Sequence, residues 1–429
     1  TSDGPVTAQL SLTIQTADGQ QPVGATTALV NVNDPAWLIV GYPRFAPQIV
    51  DIVTMDDVVY DVAIREFAYD QEIYGHGLPK PATPADLATW RRTAQWNSDY
   101  RPWFWRDIWP ILERPADYAN VMDFDSMTGG DPHNNTPGGG GNLDPNILSI
   151  PPAHGEDPVA ARKRAGQRAF IYSILRKPGQ ENLFTVPNPR NPAMQFIGMP
   201  YLCGDNPLYN HVASKFLRLT DTQLFLLKQW AEGKFVNERE EKFPPPPSNP
   251  AAPTGTELDR GVLGNLLGGA FCPGGETCWI IRNPALFSKP YRIKVSPAYL
   301  PAPPNYVPGS LSLVSDLQTG NEPGDITKYS GLPWQSDFNE CSTQDIDITY
   351  PQWNKINPAS IGDPIATILQ NTYWWPAHRP MMVSLPNNGP QVYWSKGIPQ
   401  DKIGDLRMVT AWKTLGFVKD DVLVEAQNQ

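Results

Sequence analysis

Four segments in the C-terminal half of the 429-residue chain combine chemically competent residue types with aromatic neighbours. They span residues 258–274, 290–295, 323–337 and 373–378. Three of their side chains are candidates for a general base: Asp259, Asp337 and His378. A base that removes a proton from carbon must lie within hydrogen-bonding reach of the substrate, and burial beside aromatic surface raises a carboxyl pKa towards neutrality. The residue types in these segments therefore indicate acid–base chemistry.

Each of these residues also has a structural interpretation. Asp337 is suited to closing a turn that begins one residue earlier. Asp259 fits the N-cap or first turn of a helix, where a carboxylate is favoured. An isolated histidine is more often structural than functional. In its aromatic surroundings, however, His378 is a candidate for positioning substrate or activating oxygen, and Tyr373 and Trp374 are candidates for the substrate pocket.

The four segments, taken in order, resemble those of the tryptophylquinone amine oxidase family, which includes lysine ε-oxidase and glycine oxidase. Shorter segments extend the likeness over most of the chain, at residues 1–6, 45–47, 53–55, 199–205 and 229–233. Each motif is short and weak when taken alone. Their collinear succession predicts that the chain is a member of this family.

The resemblance implies a cofactor that the protein makes from itself. In the family a tryptophan indole receives two oxygens and a thioether bond from a cysteine, and Trp334 of the Pro-Trp-Gln motif matches that tryptophan. The quinone carbonyl is an electrophile that a substrate amine attacks, after which a nearby base removes the α-proton. The implied reaction is oxidation of a primary amine or amino acid by dioxygen, with release of ammonia and hydrogen peroxide.

The sequence departs from the family pattern at the cysteine that would provide the thioether sulfur of this cofactor. The crosslinking cysteine stands two residues before the Gly-Gly of a Gly-Gly-x-Phe segment, and Leu266 occupies that position here. Cys272 is the first candidate for the crosslink and Cys278 the second; absence of the thioether is a third possibility. Cys272 also suits the interior as a small apolar side chain.

Two other functions are compatible with the sequence. The first is a non-catalytic family member with a structural or extracellular binding role, which Leu266 in place of the cysteine favours. The second is a cell-surface or carbohydrate-binding protein that uses its abundant Trp and Tyr. An extracellular or cell-surface location is expected in preference to a cytoplasmic one.

The resemblance further implies a flavoprotein that matures the cofactor and a homo-oligomeric assembly. Family members carry a further region ahead of the segment matched by residues 1–4, so we expect that region to be cleaved or lost. The 34 basic and 44 acidic residues give a net charge of −10 without any basic cluster, which argues against a nucleic-acid partner. No apolar run is long enough to predict a membrane span. The four cysteines match no zinc pattern, so no metal is expected.

The elements that must position these residues are predicted to form a loop-rich α+β fold with many prolines and glycines. Strands are expected at residues 6–15, 28–32, 37–40 and 49–53, and helices at 56–67, 84–112, 158–175 and 220–235. Thr83, before Pro84, is expected to cap the helix at 84–112, and Thr220 or Asp221 the helix at 220–235. The many Trp residues of 84–112 predict a buried aromatic cluster. We expect a β-rich region at 1–60, a mainly helical region at 61–243 with a long surface loop at 127–158, and a mixed helical and β cofactor-bearing region at 244–429. In the last region, Arg292 and Lys294 alternate along a strand and are expected on its solvated face.

Overall fold

The computed structural model describes residues 2–12, 28–32, 35–40, 52–117, 143–153, 155–181, 183, 185–188, 191, 193, 195–200, 217–240, 255–266, 268, 280–297, 320–327, 382–384 and 391–393. Within these ranges the protein combines helices with small antiparallel sheets. This arrangement confirms the predicted α+β class.

The strands of the described residues pair in twos. The pairs are β1 (Ser2–Val6) with β4 (Ala36–Val40), β2 (Gln9–Leu12) with β3 (Ala28–Asn31), β5 (Thr185–Pro187) with β6 (Gln195–Ile197), β7 (Phe287–Lys289) with β8 (Arg292–Ile293), and β9 (Met382–Ser384) with β10 (Gln391–Tyr393). The predicted strand at 6–15 is wrong in its bounds, because the chain leaves one sheet after Val6 and enters another at Gln9. Val6 and Leu10 are 50% and 53% exposed, so their alternation did not mark one buried face.

The helices of the described residues are α1 (Met55–Phe67), α2 (Pro84–Thr93), α3 (Trp109–Asp117), α4 (Pro145–Leu148), α5 (Pro158–Ile174), α6 (Asp221–Ala231) and α7 (Thr256–Leu263). Capping boxes start α1, α2 and α6, where the hydroxyls of Thr54, Thr83 and Thr220 accept from the backbone three residues on. Each box satisfies N–H groups that have no partner inside the helix. The predicted starts at Thr83 and Thr220 are confirmed, as are the helices at 56–67, 158–175 and 220–235 within a few residues at their ends.

The predicted helix at 84–112 is wrong in its middle. Helix α2 ends at Thr93, and a π-helical turn at Phe104–Ile108 leads into α3. Between them, Trp96 stacks on Phe225 with ring centroids 4.6 Å apart, which draws the chain out of the helical path. Pro102 adds a residue without a backbone N–H. The aromatic cluster expected from the many tryptophans is confirmed, but its packing interrupts the helix.

Part of the predicted surface loop at 127–158 belongs to the interior. Leu143 and Leu148 are buried, and α4 forms between them with the Asp144 carboxylate accepting from its first turn. The indole of Trp230 donates to the carbonyl of Leu148 at 3.1 Å. Residues 127–142 lie outside the described ranges.

One hydrophobic core joins the three predicted regions. It extends from Ile52 and α1 through Phe104 and Trp230 to Ile281 and Ile326, all of them buried. The region boundaries at 60 and 243 stay predictions, since the shared core neither marks nor excludes them.

The amine of Lys177 closes the carboxyl end of α5. Its Nζ donates to the carbonyls of Tyr172 and Leu175 at 2.6 and 3.0 Å, and burial lowers the pKa of Lys177 to about 8. An unfolded chain keeps this proton up to about pH 10.4. Between the two pKa values the unfolded state binds more protons, so the free energy of unfolding rises with pH there.

We therefore expect the wild type to gain about 2 kcal/mol of stability relative to Lys177→Met as the pH rises from about 8 to about 10.4. Urea denaturation of both proteins across this range measures the difference. A difference that does not vary with pH would contradict the prediction.

Candidate functional site

Of the predicted site residues, Asp259 and Leu266 lie within the described ranges. The others lie outside them: Cys272, Cys278, Trp334, Asp337, Tyr373, Trp374 and His378. The structure therefore describes the three segments that flank the predicted site. They are residues 255–268, the β7–β8 hairpin with its neighbours at 280–297, and residues 320–327.

Asp259 joins the first of these segments to the second. It lies in the first turn of α7, as predicted, and its carboxylate forms an ion pair with the Arg292 guanidinium on β8. The predicted solvated position of Arg292 is wrong, since its side chain is only 16% exposed, because the acidic start of α7 faces it. The described contact of Asp259 is structural, and its role as a base stays a prediction.

A part-buried polar cluster lies beside this ion pair and consists of Asp56, Arg260 and Tyr291, hereafter the Asp56 cluster. Arg260 of α7 donates from Nε and Nη2 to the Asp56 carboxylate of α1 at 3.2–3.3 Å. The Tyr291 hydroxyl donates to the same carboxylate at 2.9 Å. The Arg260 guanidinium also lies over the ring of Tyr60, 4.8 Å from its centroid. The cluster thus joins α1, α7 and the β7–β8 hairpin.

Burial dominates the electrostatics of this cluster. It raises the pKa of the Asp56 carboxyl above its ordinary value, although Arg260 and the Tyr291 hydroxyl act in the opposite direction. It also raises the pKa of Tyr291 well above that of an exposed tyrosine. Tyr291 therefore stays a neutral hydrogen-bond donor at physiological pH.

The chain that follows α7 is fixed to the start of α1. The carbonyl of Leu266 accepts from the Met55 N–H at 2.8 Å, and the Gly268 N–H donates to the Val53 carbonyl at 2.9 Å. A Cβ at Gly268 would overlap the backbone of Thr54, so only glycine fits here. These contacts set the register of residues 266–268, which lead along the chain to Cys272.

The third segment, residues 320–327, is held on one side by the neighbours of the β7–β8 hairpin. Asn321 is fully buried, and its amide donates to the carbonyls of Leu286 and Lys294 at 3.0 and 2.8 Å. Its backbone exchanges two further hydrogen bonds, donating to Lys294 and accepting from Ser296. Gly320, at φ +128°, lies against the backbone of Ser296, where a side chain would collide with it.

The same segment is held on its other side by Asp3 of β1. One oxygen of this buried carboxylate accepts from the N–H and hydroxyl of Thr327 at 3.0 and 2.5 Å. The other accepts from the Ile326 N–H at 3.3 Å and the Trp37 indole at 3.0 Å. The backbone carbonyl of Asp3 accepts from Gly324 at 3.0 Å. Strand β1 therefore anchors the chain that leads to Trp334.

Leu266, which the sequence pattern places at the family's cysteine position, has no sulfur. Its carbonyl accepts from the Met55 N–H, and its side chain packs against the hydrophobic core. Cys272 and Cys278 stay the predicted candidates for a thioether to Trp334. No group of three or more His, Cys, Asp or Glu in the described ranges could hold a metal ion. No helix in those ranges is long and apolar enough to span a membrane.

Sequence reasoning missed the residues that hold the three segments together. Asp56 was counted only as part of a helix start, and Tyr291 only as part of a strand. The Pro290-Tyr291 pair signals a turn, but nothing in the spacing of Asp3, Asn321 or Arg260 indicated their long-range partners. The common feature of these residues is polar burial, which a single sequence does not reveal.

Comparison with known proteins supports the family resemblance. Residues 200–375 match the family model of the L-lysine epsilon oxidase C-terminal domain. The chain is 28% identical over 467 residues to L-lysine 6-oxidase of Marinomonas mediterranea, in a match that covers 92% of this chain. The chain spans 57% of the length of that relative.

Solved structures share the fold. The epsilon-lysine oxidase of Marinomonas mediterranea superposes with a TM-score of 0.63 at 24% identity, over 100% of this chain and 61% of that one. A crystal structure of the Schiff base intermediate of the L-Lys epsilon-oxidase from that organism, with L-Lys, gives a TM-score of 0.62 at the same identity and coverage. The resemblance predicted from the motifs is thereby supported: residues 200–375 match the C-terminal domain of L-lysine epsilon oxidase, and the chain is similar to that enzyme in sequence and in fold.

Proposed function

We propose that the protein is an oxidase of a primary amine or amino acid, with a quinone formed at Trp334. The observation that carries this proposal is the packing of two motif segments on one hairpin. Residues 255–268 reach the β7–β8 hairpin through Asp259 and the Asp56 cluster. Residues 320–327 reach its neighbours through Asn321. The segment that leads to the candidate cysteine and the segment that leads to Trp334 are thus fixed to a common support.

A tryptophylquinone supplies an electrophilic carbonyl and accepts two electrons, which no ordinary side chain does. The described residues act by holding the backbone that precedes Trp334 and the candidate cysteines in the sequence. Asp259 and Arg292 neutralise each other, so neither brings an unpaired charge to this part of the structure. Preorganised supports of this kind are what a site needs to keep its reacting groups in register.

The finer expectations from the resemblance are part of this proposal. A maturing flavoprotein, a homo-oligomer and an extracellular or cell-surface location stay predictions, as do the roles of Asp337 and His378 as base and of Tyr373 and Trp374 in the substrate pocket. The substrate class is a primary amine or amino acid; the relative named above acts on L-lysine.

The test is a visible absorption band in protein matured with its flavoprotein partner. We expect the band to bleach when primary amines are added without oxygen, and hydrogen peroxide to form when oxygen is present. Trp334→Phe should abolish both signals. Trp96→Phe is the matched control, because it keeps an aromatic ring on Phe225 and should keep both signals.

Wild-type protein without the band would contradict the proposal and favour the non-catalytic alternative.

Where the band is present, peptide mapping identifies the cysteine that provides the sulfur of the thioether. We expect Cys272→Ala to remove the crosslinked peptide and Cys278→Ala to keep it. The reverse result would assign the crosslink to Cys278.

A further inference from the structure

The Asp56 cluster joins elements that are far apart in the sequence, and two of them, α7 and the β7–β8 hairpin, belong to the motif segments. Arg260 reaches Asp56 across 204 residues and Tyr291 reaches it across 235. Arg260 and Tyr291 both donate to the carboxylate of Asp56. Asp56 follows Met55, whose N–H donates to the carbonyl of Leu266. The cluster therefore lies at the point where the segment that leads to Cys272 attaches to α1.

The energetics of the cluster argue for a role beyond stability. A buried ion pair recovers its desolvation cost only with favourable geometry, and apolar residues of similar volume often stabilise a fold as well or better. Here the pair is part-buried, with the Asp56 side chain 14% and the Arg260 side chain 35% exposed, and burial raises the pKa of Asp56 although Arg260 lowers it. Polar groups retained in such a setting are best attested where they specify one arrangement of the chain.

The backbone of Tyr291 gives a second, independent argument. It has φ +58°, a left-handed conformation that a bulky residue adopts only at a cost. Glycine or asparagine would fit this turn with less strain. In this conformation the Tyr291 hydroxyl donates to Asp56. The strained residue is therefore the one that links the hairpin to the cluster.

We propose that Asp56, Arg260 and Tyr291 are positioning residues that set where the backbone of Leu266 and Gly268, which precede the candidate cysteine in the sequence, lies on α1 and relative to the β7–β8 hairpin. The link from this cluster to the quinone rests on the proposed function, whereas the contacts within the cluster do not depend on it. Arg260 makes the central contact, since its two-point contact fixes the rotation of α7 about α1. Tyr291 ties that arrangement to the β7–β8 hairpin, to which residues 320–327 are also attached.

The experiment compares Arg260→Met with Arg218→Met in full-length protein matured with the flavoprotein. Arg218 is a matched control because it forms partly buried ion pairs with Glu181 and Asp221, away from the 266–268 segment. Three quantities are measured: the melting temperature, hydrogen exchange of the amides of Met55 and Gly268, and the fraction of chains that carry the quinone by mass.

We expect Arg260→Met to speed exchange at Met55 and Gly268 by roughly tenfold or more, and Arg218→Met to leave it unchanged even at a similar loss of melting temperature. The quinone-bearing fraction should fall severalfold in Arg260→Met alone. Arg260→Lys keeps the charge without the two-point contact, so its exchange rates and its quinone-bearing fraction should lie between those of the wild type and Arg260→Met. Tyr291→Phe should also speed exchange at Met55 and Gly268 and lower the quinone-bearing fraction, both to a smaller extent. This variant keeps the test decisive if Arg260→Met does not fold.

Unchanged exchange at Gly268, or equal quinone fractions in the Arg260 and Arg218 variants, would overturn the inference. An unmodified wild type would instead contradict the proposed function, and the exchange measurements would still decide whether the cluster positions the segment.

Discussion

Replacing Gly268 with alanine is expected to destabilise the protein by roughly 3 kcal/mol, the upper end of the range for overpacked interiors. The added Cβ would overlap the backbone of Thr54, which cannot rotate away as a flexible side chain can. Relief requires the 266–268 segment to leave α1 and to give up the hydrogen bonds to Val53 and from Met55. Urea denaturation measures the loss of stability, and the quinone-bearing fraction should fall with it.

Gly261→Ala provides the matched control. Gly261 lies within α7, seven residues before Gly268, and a Cβ there meets no other atom within 4 Å. Alanine is preferred over glycine in a helix by about 0.5–1 kcal/mol, so this variant should be more stable than the wild type. Opposite signs for the two variants are the expected pattern. A Gly268→Ala protein as stable as the wild type would show that the segment is not held where the structure places it.

Replacing Asp3 with alanine is expected to cost about 3 kcal/mol, because several buried donors would each lose a partner worth roughly 1–3 kcal/mol. These donors are the backbone N–H groups of Ile326 and Thr327, the Thr327 hydroxyl and the Trp37 indole. The substitution also removes the side-chain hydrogen bonds that hold Ile326 and Thr327 on β1, while the bond from Gly324 to the Asp3 backbone carbonyl remains. We therefore expect a lower melting temperature together with a smaller quinone-bearing fraction.

Two further substitutions separate the role of the Asp3 carboxylate from a general loss of charge. Asp3→Asn keeps one acceptor oxygen but turns N–H groups towards two of the donors. The stability of this variant should therefore lie between that of the wild type and that of Asp3→Ala. Asp99→Ala removes a carboxylate from an exposed position and should leave the stability unchanged. Equal stability of Asp3→Ala and Asp99→Ala would contradict the anchoring role of β1.

The local signals of the sequence predicted local structure well. Thr83 is predicted as a helix start because Pro84 follows it at the first helical position, and Thr220 is one of two predicted caps beside Asp221; the structure has Thr83 and Thr220 as the N-caps. The helix at 84–112 could not be bounded in this way, because Trp96 leaves the helical path to stack on Phe225, more than a hundred residues away. Periodicity reports which face of a segment is apolar and does not report which distant ring that face will meet.

The same limit separates the predicted from the unpredicted parts of the site. The motifs indicated the segments around Asp259, Leu266 and Trp334, and all three positions lie within the match at 200–375. The contacts that hold these segments were not predictable, because Asp3 and Asp56 are acidic residues in short polar contexts like many exposed ones. Only the fold shows that Asp3 is buried, that Asp56 is part-buried, and that both accept from donors hundreds of residues away.

The most direct test of the proposed function is the intact mass of the natively matured protein. We predict a mass above that of the sequence by two oxygen atoms and below that sum by the hydrogens lost on forming the quinone and the thioether. In the Trp334→Phe variant the mass should equal that of its sequence. A wild-type mass equal to the sequence mass would show that no quinone forms, and would contradict the assignment of Trp334 as the reacting centre.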